Sequence, residues 1–313
     1  MKILFTGGGG AGNEAVWRLM GDRYSLHFAD ADRDMIDPSI PADRRHQLLW
    51  ASNPEFAAST MQLCRDLEID ILVPSVDEEL LPLALAAGKF GSTRLMLPSA
   101  EYIATMSDKL TSMQTLAARG IPIPRSRPFS ESLDGVSFPC IVKPRHGRGS
   151  RDVRTISSRV AAEQLRAESG AAAESMVLQE RVEGVEYTVQ MLADAAARLH
   201  AVVPVRVALK RGITLRAQTD AEPHVIAACQ AIHAAVPAAG CYNIQLMLTP
   251  DGWALPFEIN PRVSTTFCLT VAAGLDPVSV FLSSEAPAGL LPYTAGITLQ
   301  RHWINHFSTA ELA

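Results

Sequence analysis

The sequence is poor in lysine, lacks long apolar runs and carries no excess of positive charge. Its 28 lysine and arginine residues include only five lysines: Lys2, Lys89, Lys109, Lys143 and Lys210. With 33 aspartates and glutamates the formal net charge is -5, which argues against a nucleic-acid-binding surface. No apolar run reaches the ~18 residues of a transmembrane helix, so no membrane partner is expected. A lysine at a motif position is therefore informative.

Cysteine is also scarce and scattered. The five cysteines show no C-x-x-C spacing, which indicates neither a zinc site nor a disulfide framework and favours buried free thiols. The chain begins Met1-Lys2 and continues into a strand-like segment rather than a signal peptide. We therefore expect a cytoplasmic protein. Its 313 residues are enough for one large domain or for two to three small ones.

A glycine-rich loop follows the first apolar run. In MKILFTGGGGAGNEAVWRLM, Gly7, Gly9 and Gly12 form G-x-G-x-x-G, and Asp30 lies about 18 residues further on. This pattern is typical of a dinucleotide-binding turn, so an NAD- or flavin-dependent oxidoreductase is one hypothesis. That hypothesis leaves residues 100–313 unexplained.

Strand-like and helix-like segments alternate over roughly the first 100 residues. Alternation of this kind predicts a parallel β/α sheet. The first helix is predicted at 13–20, with Val16, Leu19 and Met20 on one face. The strands are predicted at 2–6, 24–30, 69–75 and 94–99.

Longer strands follow in the rest of the chain. They are predicted at 176–192 and 199–209, and a shorter strand at 138–144 precedes a glycine-containing loop at 145–153. Asp77 and Glu78 follow the third strand of the first unit, at the end of the sheet where α/β proteins bind ligands. These two carboxylates are candidates for holding an amine substrate.

The most informative stretch is NIQLMLTPDGWALPFEINPR (243–262), which reads as a hairpin. Alternation gives each strand one apolar and one polar face, with Gln245, Glu258 and Asn260 on the same side. A two-residue turn would place Gln245 opposite Glu258, whereas a four-residue loop shifts the pairing by two and keeps the faces. Three oxygen ligands suit Mg²⁺, and Arg262 can bind an anion; an ordinary solvent-facing hairpin is the alternative.

This hairpin resembles the metal-binding signature of the ATP-grasp superfamily, in the branch of the carbamoyl-phosphate synthase large chain. The matching residues are N-I-Q at 243–245 and E-x-N-P-R-V-S at 258–264. The resemblance covers nearly the whole chain and implies a mixed α/β and α+β fold. The implied division is a Rossmann-like pre-ATP-grasp domain at 1–105 and an ATP-grasp domain at 106–313, with the lid subdomain within 106–180 and an antiparallel-sheet subdomain at 181–313.

The resemblance also implies a site for ATP and Mg²⁺, with Mn²⁺ as an alternative ion. It assigns the metal to Gln245, Glu258 and Asn260, although Gln245 is neutral where many relatives have an acid. Lys143 and Arg262 would stabilise the transferred phosphoryl group, and Arg216, with Arg206 as second choice, would be a catalytic residue that binds phosphate or the acceptor carboxylate. The residues implied to contact the nucleotide are Lys109, Lys143, Gly147, Gly149, Ser150, Glu180, Arg181, Val182, Glu186 and, enclosing the adenine, Ile141 and Leu248.

The implied activity is that of an ATP-dependent carboxylate–amine (or thiol) ligase acting through an acyl phosphate and releasing ADP and phosphate. Its partners would be a small-molecule carboxylate and an amine, and homodimers are common in relatives. A carboxylate kinase, a carbamate- or bicarbonate-activating enzyme and a weakly active ATP-binding regulator are the alternatives. In this interpretation the loop at Gly7–Gly12 either faces the acceptor substrate or packs helix on sheet.

Overall fold

The computed structural model describes residues 1–149 and 151–305, and this part of the chain forms three β-sheets. Each sheet is built from one continuous stretch of sequence. The first uses strands from residues 2–95, the second from 126–180 and the third from 185–300. The chain therefore completes one layer before it begins the next.

The N-terminal sheet is parallel, as the alternation of strands and helices predicts. Its strands are β1 (Lys2–Thr6), β2 (Ser25–Asp30), β3 (Arg45–Gln47), β4 (Ile71–Val73) and β5 (Arg94–Leu95). The helices between and after them are α1 (Asn13–Met20), α2 (Phe56–Leu67), α3 (Asp77–Leu85) and α4 (Ala100–Ser107). The strand order is β3-β2-β1-β4-β5, so the order reverses between β1 and β4. Such a reversal opens a crevice at the carboxyl ends of the two strands.

Burial explains these elements. Ile3, Leu4 and Phe5 are fully buried because helices cover both faces of a parallel sheet. On α1 only Val16 and Met20 are buried, and the prediction that Leu19 shares their face is wrong, since Leu19 is 42% exposed. Leu19 lies about 100° around the helix from Met20, off the buried stripe.

The second sheet is antiparallel and has four strands. They are β6 (Ser126–Pro128), β7 (Cys140–Pro144), β8 (Arg154–Ile156) and β9 (Met176–Glu180), in the order β6-β9-β7-β8. The helix α5 (Lys109–Ala118) precedes the sheet, and α6 (Arg159–Ser169) packs against it. The single long strand predicted at 176–192 is wrong, because the chain leaves β9 at Glu180 and resumes as a strand of the next sheet.

The third sheet is a six-stranded antiparallel layer in the order β14-β13-β10-β11-β12-β15. Its strands are β10 (Val185–Ala193), β11 (Leu199–Arg211), β12 (Ile213–Thr219), β13 (Gly240–Leu248), β14 (Ala254–Asn260) and β15 (Thr298–Gln300). Its helices are α7 (Pro223–Ala235), α8 (Phe267–Ala272) and α9 (Pro277–Leu282). Gly184, at the junction before β10, has φ 156° and lies so close to the Leu248 carbonyl that no Cβ fits there.

One apolar core joins the first sheet to the third. Phe5 of β1 belongs to the same buried cluster as Val203 of β11, Cys241 of β13 and Phe267 of α8. The carboxyl edge of the parallel sheet therefore has a fixed position against the third sheet. No helix in the described part of the chain is long and apolar enough to cross a membrane.

Candidate active site

A cleft of about 1470 Å³ is lined by residues from all three sheets. It contains most of the side chains that the sequence singled out. Those lining it are Lys109, Lys143, Gly147, Gly149, Glu180, Arg181, Val182, Glu186, Gln245, Glu258, Asn260 and Arg262. The structure thus brings together residues that are up to 153 positions apart, from Lys109 to Arg262.

Lys143 is the most deeply buried cation of the cleft. It lies on β7, and its Nζ donates to Gln179 Oε1 at 2.9 Å and to the Phe257 carbonyl oxygen at 3.0 Å. Burial lowers the pKa of this ammonium from 10.5 to about 8, although nearby Glu258 opposes the shift. Lys143 has polar partners but no carboxylate within ion-pair distance among the described residues, so an anionic ligand would complete its environment.

Lys109 begins α5 and points into the same cleft. Its Nζ donates to the Gly147 carbonyl oxygen at 2.6 Å and lies 3.5 Å from Glu258 Oε1. The preceding residue, Asp108, caps α5 by accepting from backbone amides and is held by Arg145 at 3.0 Å. Despite burial, the Arg145 guanidinium and these amides keep the pKa of Asp108 below its usual value. The start of α5 therefore fixes Lys109 beside the loop and the hairpin.

Lys210, rather than Arg206 or Arg216 of the same segment, lines the cleft and is its third lysine. Its Nζ donates to Glu186 Oε1 at 2.7 Å and to Gln245 Oε1 at 3.0 Å. Arg206 and Arg216, which the sequence favoured, are both exposed and do not line the cleft. β11 and β12 pair irregularly here: the register skips Ala208 and Leu215 between the pairs Val207–Ala217 and Lys210–Thr214. The scarcity of lysine was the sequence signal for Lys210.

The hairpin places its polar residues opposite one another. Gln245 pairs with Glu258, and Asn243 pairs with Asn260. The loop spans 249–253 and is longer than a two-residue turn. A bulge at Phe257 nevertheless brings Gln245 opposite Glu258, the pairing that a two-residue turn would give. The bulge also turns Phe257 into the cleft, so the prediction that Phe257 lies on the apolar face is wrong.

The donor set of this hairpin suits a hard cation only in part. Glu258 offers a carboxylate, and Asn260 donates through Nδ2 to Asn243 Oδ1 at 3.2 Å, so the amide oxygen of Asn260 is not used in this contact. The Gln245 oxygen already accepts from Lys210. The described residues contain no cluster of three or more His, Cys, Asp and Glu side chains suited to a metal. Glu258 and Asn260 therefore fit Mg²⁺ that also binds phosphate oxygens, whereas Gln245 fits only if Lys210 releases it.

Arg262 and Asp77 form an ion pair at the crevice end of the cleft. Arg262 Nε and Nη2 contact Asp77 Oδ1 and Oδ2 at 2.7 and 2.9 Å. Arg262 Nη1 also donates to the Val263 carbonyl oxygen at 3.0 Å. Although burial opposes it, the Asp77 carboxylate raises the pKa of Arg262. The two residues were separate candidates in the sequence, as an anion ligand and an amine ligand, and the structure pairs them.

The predicted adenine end of the cleft is lined by Ile141, Glu180, Arg181 and Val182. Glu180 accepts from the Arg125 side chain at 3.3 Å, at the edge of the second sheet. Leu248 does not line the cleft but packs into the core on the opposite face of β13. Met247 lines the cleft instead, as strand alternation from Gln245 requires.

The loop after β7 reaches across the cleft to the N-terminal sheet. Gly147 and Gly149 have φ of 121° and 69°, values that glycine adopts without strain. Between them, Arg148 Nε lies 3.4 Å from Glu78 Oε2. Ser150, predicted to contact the nucleotide, lies outside the described residues.

The glycine loop after β1 packs closely on its neighbours. A Cβ on Gly7 would come 2.5 Å from Val76 Cγ2, and one on Gly12 would come 2.8 Å from the Thr265 carbonyl oxygen. The amide of Gly9 donates to Asp30 Oδ2 at 2.9 Å. Gly7 and Gly12 are therefore needed for close packing, and Asp30 binds the loop's own backbone. These contacts explain the G-x-G-x-x-G pattern and Asp30 without a bound dinucleotide. The loop also lines the cleft.

Comparison with known proteins bears on this arrangement. A family model described as "ATP-grasp in the biosynthetic pathway with Ter operon" matches residues 172–290. A biotin carboxylase from Campylobacter jejuni, solved with β,γ-ATP, superposes with a TM-score of 0.69 at 16% identity, covering 95% of this chain and 74% of that one. The chain has the ATP-grasp fold.

Other solved structures also superpose on this chain. An L-amino acid ligase from Bacillus licheniformis superposes with a TM-score of 0.64 at 16% identity over 87% of this chain and 70% of that one. A pyruvate carboxylase from Rhizobium etli superposes with a TM-score of 0.66 at 15% identity over 89% of this chain. The chain spans only 28% of the length of that carboxylase. A search of curated proteins finds no match.

Proposed function

We propose that the chain is an ATP-dependent carboxylate–amine (or thiol) ligase that forms an acyl phosphate and releases ADP and phosphate. The observation that carries this proposal is the convergence of Lys109, Lys143 and Lys210 on one cleft. These are three of the five lysines of the chain. As part of the proposal, residues 1–105 are a pre-ATP-grasp domain and residues 106–313 an ATP-grasp domain.

The three ammonium groups favour a polyanionic ligand. Lys143 is disfavoured as a cation by burial and by the neighbouring charges of Lys109 and Lys210, and only Glu258 opposes this. A triphosphate placed among the three lysines would compensate their charges. The family model and the nucleotide-bound biotin carboxylase support a nucleotide as that polyanion.

The nucleotide would lie along the cleft from the second sheet to the hairpin. We infer that Ile141 and Met247 enclose the adenine and that Glu180, Arg181 and Val182 contact its edge. Glu186, now paired with Lys210, would bind the ribose hydroxyls. The amides around Gly147 and Gly149 would face the phosphates, since the positive φ of both glycines suits a loop whose N–H groups converge on an anion.

Mg²⁺ would be held by Glu258 and Asn260 together with phosphate oxygens. It would supply charge neutralisation between the β- and γ-phosphates. Lys143 would neutralise charge on the transferred phosphoryl group. Arg262 would do the same with the N–H groups that Asp77 and Val263 leave without a partner among the described residues.

The chemistry needs positioning rather than a protein nucleophile. A carboxylate oxygen of the first substrate would attack the γ-phosphorus, the bond to the β-bridging oxygen would break, and ADP would leave. The amine nitrogen of the second substrate would then attack the acyl carbon, lose a proton and displace phosphate. The L-amino acid ligase of the same fold gives a precedent for joining a carboxylate to an amine. The protein would hold the reactants in line and dry.

A phosphate-release assay tests the proposal. The purified chain is incubated with Mg-ATP and with amino acids and simple carboxylates, singly and in pairs. We expect phosphate release that requires two different compounds. Release that requires one carboxylate alone would indicate the kinase alternative, and nucleotide binding without turnover for any pair would indicate the regulatory alternative.

A matched control guards against contaminating ATPases. Lys143→Ala removes a cleft cation, whereas Lys89→Ala removes an exposed lysine outside the cleft. Activity that both variants retain equally would belong to a contaminant or to a different site.

A further inference from the structure

The balance of charged side chains differs between two ends of the cleft, although each end holds groups of both signs. The three lysines lie where the second sheet meets the hairpin, and acidic side chains lie at the carboxyl edge of the parallel sheet. The acidic residues lining the cleft at that edge are Asp30, Asp32, Glu78 and Glu79. This polarity separates a place for an anion from a place for a cation.

Most of these carboxylates already have partners. Glu78 lies 3.4 Å from Arg148, and Asp30 accepts from the amides of Gly9 and Asp32 at 2.9 and 3.0 Å. Asp32 accepts from its own helical turn and is exposed. The negative charges of these carboxylates are stabilised by a guanidinium, by backbone amides or by solvent, so they give no indication of a ligand.

Glu79 differs from them. It lies in the first turn of α3, at the crevice between β1 and β4, and only 7% of the residue is exposed. Its Oε2 accepts a hydrogen bond from Thr6 Oγ1, and no cation lies within 4.0 Å among the described residues. Burial is the main reason that the pKa of this carboxyl is raised to about 7, and the negative charge of Asp30 adds to it.

A nine-tenths-buried carboxylate that faces a cleft and lacks a counter-ion is costly unless a ligand supplies the cation. We propose that Glu79 binds the ammonium group of the amine substrate. The inference rests on the proposed function, because it names the class of the second substrate of that same reaction. Asp77, which the sequence suggested for this role, is occupied by Arg262.

Apolar side chains line the same end of the cleft. Met35 and Trp50 are 64% and 67% exposed, although residues of this size are usually buried, and both line the cleft. Met35 packs directly on the glycine loop, since a Cβ added to Gly9 would lie 2.7 Å from the Cβ of Met35. The amine that this end accepts is therefore one with a bulky apolar group.

Binding of matched probes tests the proposal. The full chain is saturated with Mg²⁺ and the β,γ-methylene analogue of ATP, and binding is measured by calorimetry. The probes are L-phenylalanine, 2-phenylethylamine and 3-phenylpropionate, the last of which lacks the amine. We expect the two amines to bind and Glu79→Gln to weaken them about ten- to hundred-fold, the loss typical of a hydrogen bond to a charged group.

Three further variants separate ligand binding from a structural role. Thr6→Val removes the hydroxyl that Glu79 accepts from but keeps the carboxylate, and should leave amine affinity within about three-fold. Glu79→Asp keeps the charge and should retain more amine affinity than Glu79→Gln. Glu101→Gln, on the exposed face of α4, should have no effect.

Equal amine affinity in wild type and Glu79→Gln would overturn the inference. So would a wild type that binds the ATP analogue and neither amine. The phosphate-release assay separates this failure from failure of the proposed function, since a ligase releases phosphate only when two compounds are present, whether or not Glu79 binds the amine, whereas a kinase or an ATP-binding regulator does not. If Glu79→Gln does not fold, the comparison of Glu79→Asp with Thr6→Val decides: equal losses in both would contradict the proposal.

Discussion

The Arg262 guanidinium holds the Asp77 carboxylate in a two-point contact, at 2.7 and 2.9 Å, between residues 185 positions apart. Asp77 begins α3 of the first sheet, and Arg262 follows β14 of the third. Their side chains are only 21% and 14% exposed. This pair therefore ties the acidic end of the cleft to the hairpin that carries Glu258.

A double-mutant cycle should reveal this coupling. Asp77→Ala and Arg262→Ala should each lower the free energy of unfolding, because each leaves a buried charge unpaired. The double variant should lose less than the sum, by ~0.5–3 kcal/mol. Urea unfolding of the four proteins measures the cycle, and additive losses would show that the pair contributes nothing.

Lys143→Ala should lower kcat by roughly 10²–10³, the usual loss for one donor that stabilises transition-state charge. The cause is that Lys143 is held in the cleft by Gln179 and Phe257, so its loss removes a fixed ammonium group from the site. Phosphate release under saturating ATP measures the effect. Near-normal turnover would remove Lys143 from the proposed mechanism.

Lys210→Met should raise the KM for ATP, whereas Arg216→Met should leave it within about two-fold, as for an exposed charge. The contrast follows from the irregular pairing of β11 and β12, which brings Lys210 to Glu186 and Gln245 and leaves Arg216 exposed. Steady-state kinetics of both variants provide the measurement. A larger effect at Arg216 would favour the sequence-based assignment of Arg216 as a phosphate or carboxylate ligand.

Stability should fall as Glu79 ionises. Its folded pKa of about 7 lies above the ordinary 4.5, so the folded state binds the proton more tightly than the unfolded state. Stability from this group is therefore present below about pH 4.5 and is lost by about pH 7, by on the order of 3 kcal/mol. Asp30 and Glu78 reinforce the shift, and Arg148 opposes it.

Unfolding free energies of wild type and Glu79→Gln between pH 4.5 and 8 isolate this term. The unfolding free energy of wild type should fall relative to that of Glu79→Gln as pH rises. A difference that does not vary with pH would show that Glu79 is ionised with an ordinary pKa in the folded chain.

The local pattern of the sequence predicts much of this molecule. The alternation in 243–262 is enough to place Gln245, Glu258 and Asn260 on one side of the hairpin, and the parallel sheet follows from the first 100 residues. Irregular strand pairing cannot be predicted from the alternation of apolar and polar residues. The bulge at Phe257 and the skipped residues before Lys210 reverse faces, and a one-residue shift exchanges the two sides of a strand.

Long-range partners are equally hidden from the sequence. Nothing near Asp77 in the chain indicates that it meets Arg262, and nothing near Glu79 indicates that it is buried with Thr6 as its side-chain hydrogen-bond partner. Leu248 was assigned to the adenine although alternation with Gln245 places it on the core face, and Met247 has the cleft position. Tertiary packing, rather than residue type, decides which of several candidate side chains reach the site.

The central claim is that ATP activates a carboxylate as an acyl phosphate. Its most direct test uses the substrate pair found by phosphate release, with the carboxylate labelled by ¹⁸O and the released phosphate examined by mass spectrometry. One carboxylate oxygen should appear in phosphate, because the acyl C–O bond breaks when the amine attacks. Unlabelled phosphate, with product still formed, would contradict the account.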